Sequence, residues 1–334
     1  MKLLQTVCPD DFNTVPLRER YRRIRIPGLV ATENGGLLLY YECRSGGDWS
    51  AIDVGLQRSD DGGNTWSETG ILVSGKGRNA VNNPVMIADG NTVHFLYCEN
   101  YKRLFYQKSA DGGATWTAPR ELTDGIDAEA PDLGWTVLAT GPGHGIKLSS
   151  GRLLVPVWFA VNPDDMFSHH PSLVSVLYSD DGGGNWRLGG FLGEDMAEDY
   201  SECAAAEDAD GTLILNIRNE SPRKLRKTAA SRDGGVTWSE PAFEPALPDP
   251  TCCAGLCRAG DSLLFSNCES RTERRRLTVK RIKNGNIVAK TEISPEAGYS
   301  DIAFDPHAGR AFVAFENESA VIRIAVLSLN EENQ

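Results

Sequence analysis

The sequence predicts an all-β protein, a six-bladed β-propeller of four-stranded antiparallel blades, on three observations. One turn motif, S-x-D-G-G-x-[T/N]-W, occurs four times: SDDGGNTW at 59–66, SADGGATW at 109–116, SDDGGGNW at 179–186 and SRDGGVTW at 231–238. The starts stand 50, 70 and 52 residues apart, a spacing that suits a four-stranded blade. Shared among six blades, the 334 residues allow about 56 each. Each copy also follows a strand-like run, such as Ile52–Gln57 or Ser172–Tyr178, and no long amphipathic helix appears. Residues 1–334 are therefore expected to form a single domain.

Taken in order, each copy reads as a hairpin turn between two strands of a small sheet. The Asp carboxylate accepts from backbone N–H groups ahead of it, the paired glycines permit positive φ, and the Trp anchors the turn on the sheet. The 70-residue interval before the third copy contains Pro163-Asp164-Asp165-Met166-Phe167-Ser168-His169-His170-Pro171, an expected inserted loop. A fifth, degenerate copy falls at Lys283-Asn284-Gly285-Asn286, where Asp and Trp are lost. The motifs read as structural, and the Asp-Gly-Gly turns lack the following bidentate Glu of a calcium loop. Reactive groups are expected on the inner strands, around the central axis.

The composition narrows the partners. With 40% apolar and 24% charged residues the chain is an ordinary globular protein. Its net charge of −12 repels nucleic acid and anionic membranes, so neither is expected as a partner. No apolar run approaches the roughly 20 residues of a membrane helix. The start, MKLLQTVCPDDF, lacks the apolar stretch of a secretory signal, which sets a cytoplasmic expectation. Eight cysteines sit mostly in apolar or alternating segments. Cys252-Cys253-x-x-x-Cys257 with Cys268 lacks paired C-x-x-C spacing and a nearby histidine, so no metal site is expected. The chain carries no Ser-His-Asp arrangement, phosphate loop or dinucleotide fingerprint.

A second set of segments runs in chain order outside the turns. It comprises Arg25-Ile26-Pro27; Glu42-Cys43-Arg44 with Gly47-Asp48-Trp49-Ser50-Ala51-Ile52-Asp53; Thr140-Gly141-Pro142-Gly143-His144-Gly145-Ile146; and Ser201-Glu202-Cys203, sixteen residues before Arg218. Leu264-Phe265-Ser266-Asn267, Arg274-Arg275-Arg276-Leu277-Thr278-Val279, Gly298-Tyr299-Ser300-Asp301 and Phe315-Glu316 follow. Together these resemble the retaining exo-α-sialidase (neuraminidase) family with Asp-box, or BNR, repeats. The resemblance implies Arg25, Arg218 and Arg274 as the substrate arginines, with Arg44 a further substrate-binding residue. It implies Tyr299 as nucleophile, Glu202 as its base, Asp48 as general acid and Glu316 as a brace for Arg25. Asp53 competes with Asp48, Glu318 with Glu316, and Arg271, Arg275 and Arg276 with Arg274. Arg18, Arg20, Arg22 and Arg23 read as a solvated basic face, with a salt-bridged strand residue the alternative for Arg23.

The residue types fit that chemistry. Three guanidiniums can clamp the carboxylate of a 2-keto sugar acid through charge-assisted, partly bidentate hydrogen bonds. An anionic nucleophile would approach the anomeric carbon beside that carboxylate; a neutral phenol with a base avoids the repulsion. Sialidases are the tyrosine exception among glycosidases. Asp48, as the acid, is expected to have a raised pKa through burial beside Trp49. His169 and His170 stay outside the catalytic set, and His144 is expected to pack or bond within its own blade. The expected function is an exo-α-sialidase that releases terminal α-ketosidic N-acetylneuraminic acid from sialylated oligosaccharides or glycoconjugates, with no cofactor. The alternatives are the same mechanism on another 2-keto-3-deoxy acid, of the deaminated sialic acid or Kdo type, and a non-catalytic sialoglycan-binding propeller. A protein-scaffold propeller accounts for the turns but not the ordered set. A trans-sialidase is disfavoured, since no residues remain for an added lectin-like domain. Linkage preference and oligomeric state are not encoded in these motifs.

Overall fold

The computed structural model describes residues 1–7, 19–317 and 321–329; Cys8, Arg18 and Glu318 lie outside them. Six antiparallel sheets follow one another around an axis, and every consecutive pair shares its own apolar cluster. Blade one is Arg23–Ala31, Leu37–Arg44, Ile52–Ser59 and Gly70–Ser74. Blade two is Val81–Asp89, Thr92–Glu99, Arg103–Ser109 and Arg120–Glu121. Blade three is Val137–Thr140 with Ile146–Lys147, then Leu153–Ala160, Ser172–Ser179 and Arg187–Leu188. Blade four is Cys203–Glu207, Leu213–Ile217, Leu225–Ser231 and Ala242–Pro248. Blade five is Gly255–Ala259, Ser262–Cys268, Arg275–Lys283 and Asn286–Glu296. Blade six takes Ser300–Asp305, Arg310–Glu316 and Ile322–Ser328, and its outer strand is the N-terminal Lys2–Val7, which pairs with Ile322–Ser328. Both ends of the chain thus close the ring, leaving no gap between first and last blades.

The four turn motifs all join third to outer strands of their blades. In the first, Asp61 accepts from Thr65 N at 2.9 Å, Thr65 Oγ1 at 2.6 Å and Ser59 Oγ at 2.9 Å. The same pattern recurs at Asp111, Asp181 and Asp233. Each Trp packs into the cluster shared with the preceding blade: Trp66 between six and one, Trp116 between one and two, Trp186 between two and three, Trp238 between three and four. The turns therefore pin neighbouring blades together as well as closing their own hairpins. The second motif glycine allows this. At Gly113 φ is +84°, and an added Cβ would sit 2.9 Å from Leu38 of blade one.

At the degenerate fifth position, Asn284 and Gly285 form a two-residue turn with φ of 50° and 74°, closing Lys283 against Asn286. With no Trp to fill it, the interface of blades four and five keeps a cleft of about 350 Å³. The longer interval before the third motif is shared between the 161–171 loop and a short helix, Thr123–Glu129, which enters between blades two and three. The expectation credited the loop alone.

Chain direction positions the site. In a four-stranded meander, the start of the inner strand, the end of the second and the second-to-third loop lie at one end of the axis. The third-to-outer turns lie at the other. The motif carboxylates are thus a strand length away from anything built at the first end.

Candidate active site

Every proposed site residue falls on that first end. Arg25 is near the start of the blade-one inner strand, Arg44 ends the next strand, and Asp48 lies in the loop 45–51 that follows. Glu202 and Arg218 flank the first two strands of blade four, and Arg274 precedes the third strand of blade five. Tyr299 directly precedes the inner strand of blade six, and Glu316 ends the second. Arg25, Arg44, Asp48, Glu202, Arg218, Arg274 and Tyr299 line one cavity of about 210 Å³. Asn83, Tyr101, Trp158, His169 and His170 are also in its wall, with Ile26 and Ser201. A larger opening, about 470 Å³, lies at the other end of the axis among Ala31, Ala88, Lys147, Glu207 and Arg258. It holds one guanidinium, Arg258, where the smaller cavity gathers four, and that cluster marks the smaller cavity as the site.

Tyr299 is 7% exposed, and its hydroxyl donates to Glu202 Oε1 at 2.6 Å. Arg218 Nη1 donates to the same hydroxyl at 2.8 Å and also bonds Glu202 Oε2. The guanidinium carbons of Arg25 and Arg274 stand 4.9 and 5.2 Å from the Tyr299 ring centroid. Burial pushes the phenol well above its ordinary value, and the Glu202 charge adds to that, against Arg218, Arg274 and Arg25. The phenol is therefore neutral, and it already hydrogen-bonds a carboxylate that can take its proton.

Arg25 is fixed from behind. Its Nε and Nη2 donate to Glu316 at 2.9 and 3.1 Å, and Glu316 Oε1 also accepts Ile26 N at 2.8 Å. Ile26 has φ of 59°, a left-handed conformation unusual for a β-branched residue, at a register shift between Arg25 and Gly28. This bulge turns Arg25 out of the strand pattern toward the cavity. Gly298 is needed beside it, since a Cβ there would meet Glu316 Cβ at 2.8 Å. Arg274 is exposed on the open side and donates to Thr251 O at 3.2 Å; its competitors Arg275 and Arg276 pair instead with Glu273 and Glu292.

Three expectations need correction. Asp48 has a lowered pKa: burial works to raise it, but the Arg44 charge and its 2.5 Å hydrogen bond prevail. Arg44, 2% exposed, is itself held by buried Glu42 at 2.5 Å. Arg20 is not merely solvated, since it donates to Asp53 at 2.6 Å. That carboxylate also accepts from Tyr21, Ser74 and Gly75, so Asp53 is a bracing residue of blade one and is not part of the cavity lining. His144 bonds Asp301 of blade six at 2.8 Å, crossing between blades. His169, which sequence reasoning set aside, lines the cavity; the long loop was the signal for it. Among the described residues no cluster suited to a metal ion is present, and the seven described cysteines are free and buried.

Residues 35–307 match the BNR repeat-like domain family. The chain is 30% identical over 309 residues to a sialidase of Bacteroides fragilis, covering 80% of this chain and 54% of that protein. The chain belongs to the sialidase family with BNR repeats. A Micromonospora viridifaciens sialidase is 32% identical over 301 residues, 79% of this chain and 44% of the other. The chain spans about half the length of these relatives. Among solved structures, a Hadza microbial sialidase superposes with a TM-score of 0.80 at 26% identity, over 93% of this chain and 67% of that one. A Trypanosoma rangeli sialidase, solved as a covalent intermediate with 2,3-difluorosialic acid, shares the fold at a TM-score of 0.72 and 22% identity, over 92% of this chain and 54% of that one. Sialidase-family membership thus joins a cavity whose arginine cluster suits a carboxylate.

Proposed function

We propose that this chain is a retaining exo-α-sialidase acting on terminal α-ketosidic N-acetylneuraminic acid of sialylated oligosaccharides or glycoconjugates. The observation that carries this reading is the Tyr299–Glu202 hydrogen bond set among Arg25, Arg218 and Arg274. A carboxylate held by those three guanidiniums puts the anomeric carbon over the phenol oxygen.

In the first step Tyr299 Oη bonds the anomeric carbon while its proton passes to Glu202. The glycosidic C–O bond breaks, and Asp48 gives its proton to the leaving oxygen. In the second, water attacks the same carbon with Asp48 as base, the bond to Tyr299 breaks, and Glu202 returns the proton to the phenol. Two inversions give retention. A neutral phenol avoids bringing a second negative charge to a carbon that already bears a carboxylate. Arg44 holds Asp48 ionised in the free protein, so the acid role requires the incoming glycoside to loosen that pair.

The test is release of fluorophore from a 4-methylumbelliferyl α-sialoside at mildly acidic pH, beside the Tyr299→Phe variant. Activity in the parent with a loss of about a thousandfold or more in the variant supports the reading. Silence of the folded parent sinks the N-acetylneuraminic assignment, and a panel of deaminated and Kdo-type glycosides then separates another sugar from a binding protein.

A further inference from the structure

Asp48 sits in Ser45-Gly46-Gly47-Asp48-Trp49-Ser50-Ala51, a loop with two glycines that is closed at its base by Ser45 N to Ala51 O at 3.0 Å and turned by Ser50 N to Gly47 O at 3.1 Å. Its side chain is 48% exposed, and the Arg44 bond that holds it must be given up for it to act as an acid. Beyond those backbone bonds, the packing that fixes this loop is that of the neighbouring Trp49. The Trp49 ring is 4.8 Å from Tyr101, 5.0 Å from Phe167 in an edge-on contact and 5.8 Å from His169. His169 in turn lies 5.0 Å from Tyr101 and 5.3 Å from Trp158. Blade three thus reaches past blade two to grip a ring of blade one.

The gripping loop, 161–171, is braced internally. Asn162 Nδ2 donates to His170 O at 2.8 Å, Ser168 Oγ to the same oxygen at 2.7 Å, and Phe167 N to Asp165 Oδ1 at 3.0 Å. Its ends are closed by Val161 N to Pro171 O at 2.9 Å. Phe167 is nevertheless 67% exposed, a large apolar surface left in water whose ring contact is with Trp49. Aromatic contacts of this kind contribute orientation beyond their buried area.

We infer that Phe167 and His169 are positioning residues for the acid: they clasp Trp49 and thereby hold Asp48 where it protonates the leaving oxygen. This rests on the proposed sialidase reading. Phe167 offers a probe of the acid half alone, because it lies outside the cavity that the arginines, Tyr299 and His169 line. Its consequence depends on the leaving group. An alkyl oxygen must be protonated as the C–O bond breaks, whereas an aryl oxygen leaves as a stable phenolate.

The experiment measures kcat/KM on sialyllactose and on the 4-methylumbelliferyl sialoside for Phe167→Ala. Sialyllactose turnover is expected to fall about tenfold or more, with the aryl substrate within about threefold. Adding Phe167→Ala to Asp48→Ala causes little further loss on sialyllactose. Phe167→Tyr, which keeps the ring, retains sialyllactose activity. Equal losses on both substrates, or none on sialyllactose in variants that melt like the parent, overturn the clasp. A folded parent silent on both overturns the sialidase reading itself, an outcome distinct from an active parent indifferent to Phe167.

Discussion

Replacing Glu316 tests whether the substrate arginines are oriented by the fold or merely gathered by it. Glu316 accepts from Arg25 Nε at 2.9 Å, Arg25 Nη2 at 3.1 Å, Ile26 N at 2.8 Å and Tyr299 N at 3.3 Å. The pair is mostly buried, with side-chain exposures of 22% for Arg25 and 11% for Glu316. Glu316→Ala strands a guanidinium and releases the N–H of a residue held at φ 59°. Breaking a fully buried pair costs about 3–5 kcal/mol, and the partial exposure of Arg25 places this one near the lower end, about 3 kcal/mol. For a chain of this size each kcal/mol lowers Tm by about 2 °C, so the melt should fall about 6 °C. Freed from its brace, Arg25 loses its aim, and kcat/KM on the aryl sialoside should drop about a hundredfold. Glu316→Gln keeps one acceptor and turns a donor toward Nη2, so both losses should be smaller. The assay pairs a thermal melt with kinetics. A Glu316→Ala protein with parental kcat/KM, whatever its Tm, refutes the orienting role.

Three further outcomes follow from the fold. Trp186→Ala, at a side chain 7% exposed between blades two and three, should cost about 3–5 kcal/mol in a melt and leave kcat/KM unchanged, because the turn motifs lie at the far end of the axis. The Thr65 hydroxyl and N–H hold Asp61 at about 2, and the Asn185 N–H and amide hold Asp181 at about 2, below the ordinary 3.8. The stability these depressed groups contribute is present above 3.8 and lost as pH falls through 2, so replacing all four motif Asp residues by Asn should flatten acid unfolding in that window. His144 runs the other way: burial alone would lower its pKa, but Asp301 raises it above 6.5, so its contribution is complete below 6.5 and lost as pH rises through the folded value. Melts from about pH 6 to 9 should decline less steeply for His144→Gln.

Repetition made the fold legible. Four copies of a turn whose Asp, glycines and Trp each have a local function gave blade count and strand order. The expectation put the reactive groups on the inner strands around the axis; that the candidates gather at the end away from the turns came from the strand directions in the structure. The grouping of the candidate residues was legible where residue type and chain order coincide: Tyr299, Glu202 and the arginines line one cavity. Less visible were interactions that join distant segments. Nothing near Asp48 in sequence reveals that Arg44 outweighs its burial, because the guanidinium is itself positioned by Glu42 at the end of a strand. His144 looked local, yet its partner is 157 residues away. His169 looked like a surface-loop histidine until blade three was seen to fold over the acid loop.

The most direct measurement is to trap the intermediate. The protein is incubated with 2,3-difluorosialic acid, digested, and the peptide spanning Gly298-Tyr299-Ser300 is read by mass spectrometry. A single glycosyl adduct on Tyr299, absent from Tyr299→Phe and formed slowly in Glu202→Gln, is the predicted result. An active parent that yields no adduct, or one on another residue, contradicts Tyr299 as the nucleophile.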